Sequence, residues 1–492
     1  MKADFTRDTF AARHHFSRVL QQQGRVTLDA DPNEQAAILL HLLRSMARDL
    51  IGPYAAPREE GGFQIMGAPH GGLSIGQGRY YVDGIMVENE ADCAYDAQPD
   101  YPLPADDALL AELTKATGQV LWLYLDVWER VVTPIDAPRI REVALGGPET
   151  ALRAKVVWQV KSWRTGMTFD QASKSKTPPD CAAPLAMLPQ GSGLMAARID
   201  PGDVPDDPCI LPPSAQYRGA ENQLYRVEIH VGGDAKTATF KWARDNASRL
   251  TAWLGTEGDM LQVADSRGFV AGNWVEQSDD VMELQGIPGR LVRIAQVVPG
   301  GLLLDPASVA AALPWTEDLV KPRLRRWDQV QKGETLLRAG AVPLLEGSVA
   351  DPKWLDLEDG GQIAFEAEGY YRSGDYWEIP ARVATGDVEW PPGAIEPWDG
   401  APPAVPPKGV RHHYAPLGYL AVVGNKAHIH SCRCEFDPGS SCFQMGSLSM
   451  GVQLLRHEAV RQDAEFTLGA PTAAQPAVAA GRNKSPSKRL PK

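Results

Sequence analysis

The apolar positions near the start of the chain recur every three to four residues. Leu39, Leu43, Met46 and Leu50 follow this spacing, which places them on one face of an α-helix. The intervening positions are largely polar or small, so the sequence predicts an amphipathic helix. A single amphipathic helix must dock its apolar face on something, either another part of the chain or a partner.

The residues that flank this stripe predict where the helix begins and ends. Asp31 can cap the helix, Pro32 suits its first position, and Glu34 completes a capping box. At the other end, Gly52 followed by Pro53 supplies a stop signal. We therefore expect one helix over roughly residues 32–51.

From about residue 60 onward the pattern changes to the alternation of β-strands. Residues 78–90 predict a hairpin that turns at Asp83 and Gly84, a strong turn dipeptide. Residues 119–133 are apolar at consecutive positions, which predicts a central strand covered on both faces. Residues 156–163 are its expected partner.

A second β region follows at residues 216–310. Apolar side chains alternate with Arg226, Glu228 and His230, and then with Thr239 and Lys241. This pattern predicts a long hairpin with one face in water. Residues 268–305 contain four or five short apolar runs separated by glycine and proline, which is typical of a small antiparallel barrel.

Together these patterns predict a mainly β protein with an N-terminal amphipathic helix and several small antiparallel β domains, sandwich or barrel-like. Residues 165–215 are rich in Pro, Ser and Lys and suggest a long loop. The predicted units are an arm and helix (1–57), a first β domain (58–164), the loop (165–215), a second β domain (216–310), a third mainly β region (311–462) and a disordered tail (463–492).

Composition narrows the class of protein. The chain has 492 residues and is 43% hydrophobic, enough for several cores. Its formal charge of -13 argues against a nucleic-acid binder, because phosphate neutralisation requires a basic surface. No apolar run approaches a membrane span, and the first ten residues lack a signal-peptide core. We therefore expect synthesis in a cytoplasm, without membrane insertion.

Metal-ligand residue types cluster near the end of the folded part. His428, His430, Cys432 and Cys434 would share one face of a strand and span about 20 Å, too far for one tetrahedral zinc. Two adjacent members of this set could still bind a metal together with Cys442 or His412. The alternative is a strand with polar and thiol side chains, and with six cysteines in the chain reduced thiols are the default. No other cofactor is predicted.

The common catalytic motifs are absent from the sequence. There is no dinucleotide fingerprint, no phosphate-binding loop and no nucleophile elbow. A glycoside hydrolase needs only two suitably placed carboxylates, and several acidic residues in predicted turns are candidates. These are Asp245, Asp279, Asp280, Glu358 and Asp359. Turn carboxylates are the favoured interpretation of all five.

Several long segments resemble a bacterial family of unknown function. They include FSRVLQQQGRVTLDADPNEQ, ENQLYRVEIHVGGDAKTATFKWARDN and GDYWEIPARVATGDVEWP. In that family an N-terminal module occurs in gene clusters of phage tail-like particles and extracellular contractile injection systems, sometimes before a right-handed β-helix. The resemblance covers residues 1–435. The tryptophan usual after LDAD is Pro32 here, and no β-helix follows.

The resemblance implies a non-enzymatic structural component of a contractile tail-like particle, at its baseplate, fibre or cap. The N-terminal segment would be the attachment site, and the chain would leave the cytoplasm within an assembled or released particle. Its partners would be other particle proteins, and a homo-oligomer is a further possibility. The residues expected to contact partners are Phe5, Arg7, Phe10, Arg25, Leu39, Leu43 and Met46.

Three alternatives remain open at this stage. The arm phenylalanines and the helix stripe could pack on the chain's own first β domain. A module that binds cell-surface glycans would need exposed aromatic side chains, and Tyr370, Tyr371, Tyr376 and Trp377 are the candidates. A polysaccharide hydrolase would need two carboxylates about 5–10 Å apart in a cleft.

Overall fold

The computed structural model of the chain describes residues 1–68, 72–175, 179–188, 190–201, 216–331, 336–391, 402–437, 458–459 and 463–467. Within these residues the fold is mainly β, with several small antiparallel sheets and a single long helix near the N-terminus, as predicted. No helix in this described part is long and apolar enough to span a membrane.

The helices are few and, apart from the first, short. They are α1 (Ala30–Ile51), α2 (Ala108–Lys115), α3 (Phe169–Lys174), α4 (Asp280–Gln285) and α5 (Pro306–Val309). Single 3-10 turns lie at Ala12–His14, Tyr95–Ala97, Pro138–Ile140, Val143–Leu145 and Ala183–Met187. Asp107, Asp279 and Asp305 begin α2, α4 and α5 by accepting backbone N–H groups of the first turn.

Helix α1 ends where the sequence predicts but begins earlier. Gly52 closes it with a φ of 91°. The prediction that Asp31 caps the helix is wrong, because Asp29 occupies the cap position and Asp31 lies in the first turn. Hydroxyl groups of the preceding arm bind the carboxylates of Asp29 and Glu34, so these acids are not used for helix capping.

The strands are short except in the central sheet. The first fourteen are β1 (Tyr54–Pro57), β2 (Ile65–Gly67), β3 (Leu73–Ile75), β4 (Gly78–Val82), β5 (Ile85–Asn89), β6 (Cys93–Ala94), β7 (Thr117–Val132), β8 (Arg153–Thr168), β9 (Met195–Ile199), β10 (Gln223–Val231), β11 (Thr239–Ala243), β12 (Leu250–Glu257), β13 (Met260–Val263) and β14 (Trp274–Ser278). The others are β15 (Arg290–Val298), β16 (Gly301–Leu304), β17 (Arg323–Trp327), β18 (Val342–Pro343), β19 (Glu346–Gly347), β20 (Leu355–Asp356), β21 (Gly361–Glu366), β22 (Tyr376–Arg382), β23 (Asp387–Val388), β24 (His413–Val423), β25 (Lys426–Ser431), β26 (Cys434–Phe436), β27 (Glu458–Ala459) and β28 (Asp463–Thr467).

The first body of the fold is built around β7, which lies inside the sheet β28-β25-β24-β7-β8. Leu121, Leu123 and Leu125 enter one core together with Tyr80 of the sheet β27-β26-β1-β4-β5. The alternate side chains of β7, including Trp122, enter a separate apolar cluster on the opposite face. The prediction of a central strand covered on both faces, paired with residues 156–163, is confirmed.

Residues from distant parts of the sequence share this first body. Strand β24 pairs along β7, so residues 413–423 belong to the same sheet as residues 117–132. Strand β28 adds to the same sheet, although the tail was expected to begin at residue 463. The sheets therefore cross the predicted unit boundaries, because β pairing depends on complementary edges rather than on neighbouring sequence. The rest of the predicted tail, 468–492, lies outside the described residues.

The second body contains the predicted hairpin and a closed barrel. Strands β10 and β11 pair in the sheet β18-β11-β10-β22-β23, and β12-β13-β16-β15-β14-β17 form the barrel. Strand β17, beyond the predicted boundary at residue 310, closes the barrel between β12 and β14. Residues 165–215 differ from the expected loop, since their described part contains α3 and β9, and β9 pairs with β21.

The hairpin differs from the sequence prediction in one important respect. Residues 224–230 of β10 are buried on both faces. Tyr225 and Val227 enter the apolar core of the second body, while Arg226 and Glu228 are buried on the opposite face. The prediction of a water-exposed face is wrong. Other charged side chains cover this face, and their opposite charges stabilise Arg226 and Glu228 in place of water.

Candidate functional site

A buried ionic cluster joins the hairpin sheet to the barrel. We use this name for Lys2, Arg226, Glu228, Lys241 and Glu276. Glu228 lies 2.7 Å from the Arg226 Nε, 2.8 Å from the Lys2 Nζ and 3.4 Å from the Lys241 Nζ. The Lys241 Nζ also lies 2.5 Å from Glu276. Two strands of the hairpin sheet, β10 and β11, and one strand of the barrel, β14, thus contribute charge to a buried contact.

The electrostatics of the buried ionic cluster follow from this pairing. Burial alone would raise the pKa of Glu228, but Lys2, Arg226 and Lys241 outweigh it and hold this pKa well below its usual value. The same competition lowers the pKa of Glu276 to about 2, with Lys241 as the principal cation. Burial lowers the pKa of the neighbouring His230 to about 4. The carboxylates of Glu228 and Glu276 are therefore ionised at neutral pH.

The N-terminal arm, residues 1–29, covers the buried ionic cluster. Lys2 belongs to the cluster, and the Asn246 side-chain amide donates to the backbone oxygens of Met1 and Ala3 at 2.9 and 3.0 Å. Arg7 pairs with Glu389 beyond the end of β23. The start of the arm is thus held in the second body, although α1 contacts the first.

The rest of the arm runs back along α1. Thr6 donates to Asp29 at 3.0 Å, and the backbone N–H of Val19 donates to the Gln35 side chain at 2.9 Å. The ring of Phe10 lies 5.5 Å from that of His41, between centroids. These contacts hold the arm against the helix by polar groups and one aromatic pair.

The inner face of α1 docks on the first body largely through charge. Arg44 makes two hydrogen bonds to Glu129, at 2.9 and 3.0 Å, and Arg48 lies 3.5 Å from Asp83. Ile38 is fully buried on this face. The helix therefore uses its more polar side to bind its own chain.

The outer face of α1 is apolar and faces away from the protein. Its large side chains are each 46–56% exposed: Leu39, Leu40, Leu42, Leu43, Met46 and Leu50. We call these residues, with the exposed Ala36, the outer apolar face. Ala36, Leu39, Leu43, Met46 and Leu50 repeat at spacings of three and four, the seam pattern of a coiled coil. The apolar side of an ordinary surface helix faces the core. In α1 this side faces solvent, and we call this orientation inverted.

The residues expected to bind partners fall into two groups. Phe5, Arg7 and Phe10 are partly buried against their own chain. In contrast, Arg25 and the helix residues Leu39, Leu43 and Met46 are exposed. The stripe does not pack on the first β region. The arm carries further exposed apolar side chains: Phe16, Leu20, Val26 and Leu28.

The close contact between α1 and the hairpin turn gives a testable prediction. Gly84 has a φ of 79°, and a Cβ there would meet the Arg44 carbonyl oxygen at 2.1 Å. Gly84→Ala should therefore cost about 2–5 kcal/mol, the sum of left-handed strain and overpacking, and should increase amide hydrogen exchange over residues 30–51. Gly146→Ala is the matched control, since Gly146 has a φ of 86° and open space around it. Equal effects of the two substitutions would contradict this contact.

A separate polar cavity of about 440 Å³ lies beside the start of β24. His412 and His413 line it, and their Nδ1 atoms lie 2.7 Å from Asp126 and 2.9 Å from Asp83. Burial raises the pKa of Asp375, on the cavity wall, to about 6. Burial lowers the pKa of His412, which is stacked on Trp128 at a centroid distance of 4.8 Å. The cavity therefore offers both hydrogen-bond donors and hydrogen-bond acceptors to a polar ligand.

The cysteine and histidine residues of the predicted cluster separate in space. Cys432 forms a disulfide with Cys181, so the expectation of reduced thiols is wrong for this pair. His430 lies beside the disulfide, whereas His428 faces Glu465 and the ring of Phe169. Cys434 is a free thiol on β26, and Cys442 lies outside the described residues. Cys181 was missed because 251 positions separate it from its partner.

The carboxylates considered for hydrolysis are occupied by structural contacts. Asp279 accepts the backbone N–H groups of Met282, in α4, and of Val320, and Asp280 pairs with Arg130 at 2.8 Å. Asp245 pairs with Arg326, and Glu358 with Arg244. The fifth, Asp359, lies in a turn with a φ of 49°.

The aromatic side chains proposed for glycan binding are mostly internal. Tyr371, Tyr376 and Trp377 are buried, and only Tyr370 of the four is exposed. Alternation along β22 places Trp377 in the core of the second body. These four residues therefore form no exposed aromatic platform.

Comparison with known proteins gives one match. The search of curated proteins and the search of solved structures each found nothing significantly similar. The profile of a family of unknown function, DUF6519, matches residues 1–176 and 186–490. These two segments include the arm, α1 and all the described sheets. The chain belongs to the DUF6519 family of unknown function.

Proposed function

We propose that this chain is a non-enzymatic structural adaptor that attaches to a larger assembly through the outer apolar face of α1. The observation that supports this most directly is the inversion of the helix, which binds its own body through Arg44 and Arg48 and presents leucines to solvent. Contiguous exposed apolar side chains of this size mark interaction sites in soluble proteins.

The proposed partner is an amphipathic α-helix of another component. The seam from Ala36 to Leu50 covers 14 steps, about 21 Å at 1.5 Å per residue, and its spacing suits packing against a helix with the same repeat. Arg18 and Arg25 are exposed on the adjacent arm. An acidic flank on the partner helix would complement them.

The assembly we propose is a phage tail-like contractile particle. The resemblance of residues 1–435 to modules from such gene clusters supports this assignment. In this proposal the chain is made in the cytoplasm, joins the baseplate, fibre or cap through α1 and leaves with the particle.

The experiment that tests the proposal is purification of sedimentable particles from the native host. Mass spectrometry should find this chain in fixed ratio to the sheath and tube proteins. Absence of the chain from intact particles would overturn the particle assignment. Sedimentation of the isolated chain would separately detect self-association through the same face.

A second candidate function is binding or hydrolysis of a surface polysaccharide. The cavity at His412 and His413 favours it, since the Asp375 carboxyl titrates near pH 6 and could exchange a proton with a bound sugar. If the chain is absent from particles, a polysaccharide binding and hydrolysis screen becomes the decisive measurement. Retention of glycan by an Asp375→Asn variant together with loss of hydrolysis would support the enzymatic form.

A further inference from the structure

Three metal-ligand side chains meet beside the C-terminal end of β25 in the central sheet. Cys181, His430 and Cys432 place one ligand atom each within 4.8 Å of one another. Strand β25 supplies His430, and Cys432 follows that strand directly. Cys181 comes from the distant segment 179–188, which lies against the same face of the sheet.

The segment that carries Cys181 is held in place independently of the sulfur atoms. The Tyr419 hydroxyl donates to the Asp180 carbonyl oxygen at 2.9 Å. Leu185 and Leu188 pack in the apolar cluster that contains Trp122 and Cys432. Breaking the disulfide would therefore leave both thiols close together, which is the requirement for a shared metal ion.

We propose that Cys181, His430 and Cys432 form a zinc site when the disulfide is reduced. Zinc binds thiolate sulfur at about 2.3 Å and imidazole nitrogen at about 2.0 Å, so two tetrahedral thiolates lie about 3.8 Å apart. The Cα atoms of the two cysteines are 5.5 Å apart, and rotation of their side chains opens the sulfur pair to this distance. A water molecule takes the fourth position.

The two states exchange through a balanced reaction. A dithiol reductant gives two electrons and two protons to the Cys181–Cys432 disulfide and becomes a disulfide itself. Zinc then displaces both thiol protons and binds the two thiolates with the neutral imidazole of His430. In an oxidising compartment the segment 179–188 is held by a covalent bond, and in a reducing one it is held by the metal. Neither state involves α1, so the site is independent of the attachment surface.

The test uses the full chain, reduced with a phosphine under anaerobic conditions and titrated with Co²⁺ as a spectroscopic substitute for zinc. We expect one equivalent to bind with thiolate-to-cobalt charge-transfer bands and tetrahedral d–d bands, and Zn²⁺ to remove both. The oxidised chain should bind none. Absence of these bands from the reduced chain would overturn the proposal.

Three variants separate a metal site from a structural disulfide. Cys181→Ser should lose both the disulfide and the metal. His430→Gln should keep the disulfide but bind Co²⁺ at least about tenfold more weakly, since one ligand of three is removed. Cys434→Ser is the matched control, a free thiol two residues from Cys432, and should change neither property. Tight Co²⁺ binding by His430→Gln, or its loss in Cys434→Ser, would contradict this ligand set even if Cys181→Ser fails to fold.

Discussion

A chain carrying Leu39→Asp and Leu43→Asp is expected to fold normally and to be absent from assembled particles. Both side chains are more than half exposed on α1 and contribute little to the core. The free energy of unfolding should therefore change by no more than about 0.5 kcal/mol. In the assembly, two carboxylates would lie in an apolar contact without counter-charges, which costs several kcal/mol. Incorporation should fall by at least about a hundredfold.

The measurement is quantitative mass spectrometry of purified particles from cells that express the variant, alongside denaturant unfolding of the isolated chain. Leu145→Asp with Leu254→Asp is the matched control, because these leucines are also exposed but belong to other elements, the 3-10 turn Val143–Leu145 and β12. Incorporation of the folded double variant at the normal ratio would contradict the role of the helix. Equal loss in the control would show that added charge, rather than position, excludes the chain.

The largest expected effect on stability follows from Glu228→Gln. The carboxylate of Glu228 faces Lys2, Arg226 and Lys241 in the buried ionic cluster. Glutamine keeps the volume but removes the carboxylate that pairs with Lys2 and Arg226, while Lys241 keeps Glu276. Removing one partner of a buried ion pair costs about 3–5 kcal/mol. We expect this loss in denaturant unfolding at pH 7.

Asp351→Asn provides the control for that substitution. Asp351 also pairs with a lysine, Lys353, but the aspartate is largely exposed. Exposed pairs contribute at most about 1 kcal/mol. Similar losses in the two variants would show that burial does not set the energy of the ionic cluster.

The same cluster predicts how stability depends on pH. The pKa of Glu276 is about 2 in the folded chain against a usual value of 4.5, so its contribution is complete above pH 4.5 and is lost as pH falls toward 2. The pKa of His230 is lowered from 6.5 to about 4, so its contribution is lost as pH falls between those values. Both groups act in the same direction. The unfolding free energy should fall progressively below about pH 6.5. Glu228→Gln should remove only the share that Glu228 itself contributes below its usual pKa of 4.5, since the folded chain holds that pKa well below this value.

Some parts of the fold follow directly from local sequence. The spacing of Leu39, Leu43, Met46 and Leu50 matches the helical repeat. It therefore predicts a helix whether these side chains are buried or exposed. Asp83 and Gly84 specify the turn between β4 and β5, since both adopt positive φ values of 48° and 79°. The consecutive apolar residues of β7 and the alternating apolar residues of β10 likewise identify strands before any packing is known.

The candidate sites depend on contacts between residues that are far apart in the sequence. Arg226 and Glu228 alternate with apolar residues, as in a strand with one face in water. Their face can be buried because Lys2 and Lys241 lie beside Glu228. The sequence signal for this buried cluster was the presence of positive and negative residues at alternate positions of two neighbouring strands. Cys181 gave no local signal at all, because a disulfide across 251 residues leaves no periodic pattern.

The sequence by itself determined the mainly β class, the amphipathic character of α1 and the positions of β7, β10 and the β4–β5 turn, because these depend on interactions within a few residues. The tertiary structure decided which face of α1 meets solvent, which charges are buried and which cysteines meet. Those outcomes depend on the surfaces that other segments present. Arg44 and Arg48 find Glu129 and Asp83 on the first body, and this pairing turns the leucines outward.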